Sequence, residues 1–135
     1  MGRPRFRTLA HRADLRIAVW GDGEQELICN AVLAAMSLAL GAPPGGRPAR
    51  LSPIRPWRGD LASRVVRAVN ESLFLLYARR EVAVHCVSSD RGATLALAPL
   101  PAGALPALEI KAATYHDLHP RRRLGRLRVI LTLDV

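Results

Sequence analysis

Apolar and polar residues alternate near the start of the chain, over residues 15–20. Leu15, Ile17 and Val19 fall on one face of the implied strand, while Asp14 and Arg16 fall on the other. This period of two is typical of a β-strand with one buried face. The pattern therefore predicts a strand here, and it predicts that Asp14 points away from the core.

Two later segments repeat their apolar residues at intervals of three and four, which predicts two helices. The first is expected to begin near Glu24, with Asp22 as its N-cap, and to end at Gly41. The second is expected to run from an N-cap at Asp60 to about Arg79. Each helix has enough apolar residues to cover a sheet.

The remaining apolar segments are short, as strands are. A proline-rich stretch predicts an edge strand before residue 57, and residues 82–87 and 94–98 predict a hairpin. Residues 108–116 and 124–135 predict the last two strands, joined by a basic turn. We therefore predict one α+β domain over residues 1–135, in which mostly antiparallel β-sheets pack with two α-helices.

The final strand suggests a site for a cation. Its apolar residues share one face, so Asp134, like Asp14, is expected on the opposite face, and Val135 adds a main-chain carboxylate. Two such charges about 4 Å apart repel by about 4 kcal/mol at an effective dielectric of 20, and a divalent cation would remove that cost. Oxygen ligands favour Ca²⁺ or Mg²⁺, with Mn²⁺ as a further candidate, over zinc. We expect the site only if the fold brings the two ends of the chain together.

Other polar residues are weaker candidates for chemistry. His11 with Asp14, or His116 with His119, could bind zinc, but neither pair has a third ligand at a suitable spacing. Lys111 is the one lysine of the chain. It could place a compact ammonium group against the carboxylates or against a phosphate. The alternative is a solvated residue of a strand. On the second helix, Asn70 could hydrogen-bond a neighbouring loop.

The net charge of +9 comes from nineteen arginines and one lysine against eleven acidic residues. Such a field attracts RNA, nucleotides or acidic proteins, although an arginine-rich solvated surface is the alternative interpretation. Only Tyr115 is expected near the basic residues, so sequence-specific reading of RNA is not predicted. Five of the arginines are expected to form a compact basic patch at the last turn and strand, namely Arg121, Arg122, Arg123, Arg126 and Arg128.

Composition also bears on the cellular compartment. The longest apolar run, residues 31–40, is shorter than the roughly 20 residues that cross a bilayer, and no signal peptide pattern is present. Cys29 and Cys86 lie far apart in sequence and match no metal-binding spacing, so we expect two free thiols, with a disulfide as the lesser alternative. We therefore expect a cytoplasmic protein without a membrane partner.

Four motifs together resemble the archease family, nearly from end to end of the chain. The motifs are His11-Arg12-Ala13-Asp14, Asn70-Glu71-Ser72-Leu73, Lys111-Ala112-Ala113-Thr114-Tyr115-His116 and Asp134-Val135. The third and fourth motifs together are the specific signal. The chain departs from the family pattern at Arg12 and Arg16, which replace Thr and Gly beside the first aspartate, and at Ala68, where Trp is common.

The resemblance implies an archease-like fold, a β-sandwich or split barrel with helices, and a metal site formed by Asp14, Asp134 and Val135. Lys111, His11 and His116 would be functional residues near it. The family assists RtcB-type RNA ligases in tRNA splicing and RNA repair as a protein cofactor, not as an enzyme. It promotes GTP-dependent guanylylation and multiple turnover of the ligase, which uses the GTP. Contact with tRNA would come through the ligase complex.

Two other functions fit the same residues. The first is an RNA-binding modulator or chaperone of a tRNA modification enzyme, which the positive charge favours. The second is a metal-dependent phosphohydrolase, in which the carboxylates would hold Mg²⁺ and His11 or His116 would be the general base.

Overall fold

The computed structural model describes residues 5–11, 14–55, 57–114 and 121–135. Only the backbone is described for residues 9–11. This part of the chain forms eight strands and two helices. The elements in chain order are β1 (Phe6–His11), β2 (Asp14–Gly21), α1 (Glu24–Leu40), β3 (Arg50–Ile54), α2 (Leu61–Arg79), β4 (Glu81–Ser89), β5 (Gly92–Pro99), β6 (Ala112–Thr114), β7 (Arg121–Arg123) and β8 (Arg126–Asp134).

The strands form two sheets. One has the order β1-β2-β8-β6, with β7 also paired to β8, and the other has the order β3-β5-β4. Every pairing between these strands is antiparallel. The prediction of an α+β fold with mostly antiparallel sheets and two helices is confirmed.

Helix α1 connects the two sheets, because it packs against β2 of the first sheet, β4 of the second sheet and helix α2. Alanines recur along its buried surface and let these neighbours approach closely. The helix ends at Gly41, whose positive φ of 78° lets its N–H donate to the Ser37 carbonyl. Its buried residues are Leu27, Ile28, Ala31, Val32, Ala34, Ala35, Met36 and Ala39.

The two helices begin differently. Asp60 caps α2 as predicted, accepting a hydrogen bond from the Ser63 N–H at 2.9 Å, and the bonds from the Ser63 backbone and hydroxyl lower the pKa of Asp60. The predicted cap of α1 is wrong, because Gly23 rather than Asp22 occupies that position and no side chain caps it. Asp22 instead donates its N–H to the Glu26 carboxylate at 3.1 Å.

The predicted strand over residues 108–116 is shorter in the structure. Only Ala112–Thr114 forms a strand, and Tyr115 and His116 lie outside the described residues. Before it, the Tyr77 hydroxyl accepts the Ile110 N–H and donates to the Leu108 carbonyl, both at 2.8 Å. A side chain of α2 thus satisfies backbone groups that a neighbouring strand would otherwise pair.

The predicted basic turn contains a strand instead. Residues Arg121–Arg123 pair with β8 through a two-residue loop of Leu124 and Gly125, whose φ values are 52° and 76°. Positive φ at both positions is the geometry of a tight hairpin turn, which matches the twist of its strands. Strand β1 was not predicted from the sequence. No helix within the described ranges is long and apolar enough to span a membrane.

The prediction of two free thiols is wrong, because Cys29 and Cys86 form a disulfide. The bond joins α1 to β4, whose packing brings the two Cα atoms to 5.3 Å, within the usual range for disulfides. The cysteines are 57 residues apart in sequence. Spacing alone therefore could not reveal the pair.

We expect reduction of this disulfide to lower the free energy of unfolding. Closing a loop of 57 residues restricts the unfolded chain, and the loss should be about 2–4 kcal/mol. Urea unfolding with and without a thiol reductant measures the difference. A Cys29→Ala/Cys86→Ala variant should show no dependence on reductant, and equal stability of the oxidised and reduced native protein would contradict the expectation.

Candidate functional site

Asp14 and Asp134 lie directly opposite each other in the pairing of β2 with β8. Residues in such pairs point to the same side of the sheet, with Cβ atoms about 4.5–5.5 Å apart. The next pair, Leu15 with Leu133, is buried on the other side. The fold therefore brings the two aspartates together on the solvent side of the first sheet, and we call this pair the carboxylate corner.

The short strand β6 completes the corner on the far side of β8. Ala112 lies opposite Asp134, and the Lys111 N–H donates to the Asp134 carbonyl at 2.7 Å. Lys111 is exposed beside the corner, and Val135 follows Asp134 as a half-buried residue. Of the other predicted residues, His116 lies outside the described ranges, and only the backbone of His11 is described.

Asn70 on α2 holds β6 in place. Its side-chain oxygen accepts the Ala113 N–H at 2.7 Å, and its side-chain nitrogen donates to the Ala113 carbonyl at 3.3 Å. The Ala113 side chain is buried, so these backbone groups have little access to water. Asn70, which was predicted only to hydrogen-bond a neighbouring loop, thus positions the edge of the candidate site.

A groove runs along α2 next to β6. Its cavity measures about 390 Å³ and is lined by residues that include Asn70, Phe74, Tyr77 and Lys111. Burial raises the pKa of the Tyr77 phenol, whose hydroxyl is committed to the backbone. The Phe74 ring is 52% exposed, which offers an apolar contact close to the corner.

The corner provides oxygen donors suited to a hard cation. Two facing carboxylates repel each other, and a divalent ion would relieve that repulsion. Within the described residues, no three His, Cys, Asp or Glu side chains cluster as a ligand set. An ion here would therefore complete its shell with main-chain oxygens and water, as Mg²⁺ and Ca²⁺ commonly do. Arg16, two residues from Asp14 on the same strand, adds a positive charge nearby.

The basic residues form a second surface on the same sheet. Around a cavity of about 690 Å³ lie five arginines with Val129 and Ile130. We call this surface the arginine face. Its arginines are Arg16, Arg121, Arg122, Arg123 and Arg128. The remaining member of the predicted patch, Arg126, is exposed and lies opposite Arg123 at the hairpin end.

Trp20 also belongs to this region, although its role was not predicted from the sequence. Trp20 lies opposite Arg128, and Arg121 lies opposite Arg128 on its other side. The three residues thus form a row across β2, β8 and β7, with Trp20 half-buried. The alternation of faces along β2 could have indicated this position, because Trp20 falls on the same strand face as Arg16.

The sequence matches the model of one known protein family. Residues 6–135 match the model of the archease protein family (MTH1598/TM1083). Among curated proteins, none has a sequence significantly similar to this one.

Two solved structures share the fold. The solution structure of Methanobacterium thermoautotrophicum protein 1598 has a TM-score of 0.71 at 18% identity, covering 98% of this chain and 100% of that chain. The crystal structure of a Thermotoga maritima archease, described as a possible chaperone, has a TM-score of 0.64 at 17% identity, covering 100% of this chain and 98% of that chain. At these identities the likeness concerns the fold.

We expect Asn70→Ala to destabilise the protein by about 1–3 kcal/mol, because the Ala113 N–H would lose its partner in a poorly hydrated place. Amide hydrogen exchange at Ala113 should become faster. Asn70→Asp keeps the acceptor for the Ala113 N–H, so exchange there should remain slower than in Asn70→Ala, although its second oxygen would face the Ala113 carbonyl and should also lower stability. Urea unfolding and NMR exchange measure both effects, and unchanged exchange at Ala113 in Asn70→Ala would contradict the assigned role.

Proposed function

The chain belongs to the archease family, and from this membership we propose that it activates an RtcB-type RNA ligase as a protein cofactor rather than as an enzyme. In this role it promotes the GTP-dependent guanylylation of the ligase and its multiple turnover in tRNA splicing or RNA repair. The ligase uses the GTP, and tRNA is reached through the complex. The proposed place of action is the cytoplasm, which follows from the proposed partner and not from the cysteines, since these form a disulfide.

The observation that carries this proposal is the carboxylate corner, where the exposed Asp14 lies opposite the half-buried Asp134 at one end of a sheet. A pair that reaches solvent at least through Asp14 suits a protein that presents a charged group to a partner. A hydrolase would instead benefit from a site that excludes water around the substrate. The exposed Phe74 ring in the adjacent groove provides an apolar anchor of the kind that protein interfaces use.

In the proposed site, Asp14, Asp134 and an oxygen of Val135 hold Ca²⁺, Mg²⁺ or Mn²⁺. The bound cation would supply positive charge toward the phosphates of the ligase's nucleotide. Lys111 adds a second positive group beside it, and its backbone N–H fixes the Asp134 carbonyl. Asn70 keeps β6, and hence Lys111, next to β8. His11 and His116 are proposed as further functional residues near the site.

We expect the protein to increase guanylylation of a cognate RtcB-type ligase, and Asp14→Asn or Asp134→Asn to reduce that stimulation at least tenfold. Transfer of labelled GMP from GTP to the ligase measures the first step, and joining of excess RNA ends measures turnover. Asp22→Asn is a matched control, because it removes the same charge just beyond the opposite end of β2. This control should stimulate normally.

The native protein failing to stimulate its cognate ligase would overturn the proposal. Full stimulation by both corner variants would remove the corner from the mechanism. Incubation with GTP and RNA in the absence of ligase tests the alternative, since turnover there would favour the metal-dependent phosphohydrolase.

We further expect the corner to bind a divalent cation. Titration calorimetry with Ca²⁺, Mg²⁺ and Mn²⁺ should detect one site, and Asp14→Asn or Asp134→Asn should weaken the affinity at least tenfold because each removes a charged ligand. The Asp22→Asn control should bind as the native protein does. Unchanged affinity in the corner variants would place the cation elsewhere.

A further inference from the structure

The arginine face concentrates positive charge at its hairpin end, away from Asp14 and Asp134. Arg121 lies opposite Arg128, and Arg123 lies opposite Arg126, so like charges face each other on adjacent strands. Such pairs destabilise a sheet unless an anion lies between them. Two such pairs on one short hairpin leave a repulsion that a bound anion would offset.

Two arginines elsewhere in the described residues form ion pairs with carboxylates. Arg5 pairs with Glu26 at 3.2 Å, and Arg50 forms two bonds to Glu81, at 2.7 and 2.8 Å. Within the described part of the chain, the arginine face has no ion pair with a carboxylate. Its charge is thus available to a ligand.

The spacing of the face suits a chain of phosphates. Same-face residues on a strand recur about every 6.8 Å, and neighbouring strands lie about 4.8 Å apart. Charges at these intervals can contact successive groups of a polyanion. The hairpin turn at Leu124 and Gly125 keeps the arginines of β7 level with those of β8.

Trp20 distinguishes a nucleic acid from an acidic protein surface. Its half-buried ring belongs to the row that contains Arg128 and Arg121. Proteins that bind single strands combine a positive groove with aromatic rings on which bases stack. An acidic peptide would use the arginines and would have no particular need for the ring.

We propose that the arginine face binds single-stranded RNA, with the arginines contacting phosphates and Trp20 stacking on a base. The choice of RNA over DNA rests on the proposed function, whereas the binding itself does not. Asp134 and Arg128 share one face of β8 six residues apart, about 20 Å along the strand. Bound RNA would therefore lie on the same side of the sheet as the carboxylate corner.

The test uses the purified protein without ligase, so its result is separate from ligase activation. Fluorescence anisotropy of a labelled, unstructured 15-nucleotide RNA should show binding that weakens with salt, with a log–log slope of about −2 for three phosphate contacts. Arg121→Gln/Arg128→Gln should reduce affinity at least tenfold and flatten the slope by about 1.4. Arg79→Gln/Arg91→Gln, with the same change in net charge at exposed positions elsewhere, should have a much smaller effect.

Tryptophan fluorescence tests the stacking contact. RNA should quench the native protein, and Trp20→Phe should abolish the quenching because Trp57, the other tryptophan, is buried. Equal losses of affinity in the two arginine double variants would overturn the proposal. So would tighter binding of polyglutamate than of RNA, which would assign the face to an acidic protein. Weaker binding of the matched DNA would support RNA, and equal binding would overturn that choice.

Discussion

The antiparallel pairing of β2 with β8 joins an early strand to the last strand of the described chain, and both candidate surfaces depend on its register. Leu15, Ile17 and Val19 of β2 are buried against Leu133, Leu131 and Val129 of β8. A slip of one residue would turn these side chains to water and would bury the polar ones, so the core fixes the alignment. The same alignment sets Asp14 beside Asp134 and Trp20 beside Arg128. Binding groups here are thus positioned by apolar residues on the opposite side of the sheet.

Side chains of α2 perform a related task at the edge of the sheet. Asn70 pairs with both backbone groups of Ala113, and Tyr77 bridges Leu108 and Ile110. These bonds replace those that a further strand would provide. The edge beside the carboxylate corner can therefore remain irregular, leaving Lys111 exposed, while both backbone groups of Ala113 and the N–H of Ile110 have partners.

Local patterns predicted most of the fold. Periodicity identified α1, α2, β2 and β8, and the cap at Asp60 was visible because capping depends on a few adjacent residues. Strand parity also placed Asp14 and Asp134 on the polar face. The disulfide, the Tyr77 bridge and the position of Trp20 depend on contacts between distant segments, which local patterns do not contain. Strand β1 was missed, and β7 was taken for a turn because three arginines show no apolar alternation.

The disulfide lies away from both candidate surfaces. Cys29 and Cys86 connect α1 with β4 of the second sheet, while the carboxylate corner and the arginine face both belong to the first sheet. An oxidising or reducing environment would therefore change the fraction of molecules that are folded, while the residues of both surfaces keep the same covalent structure.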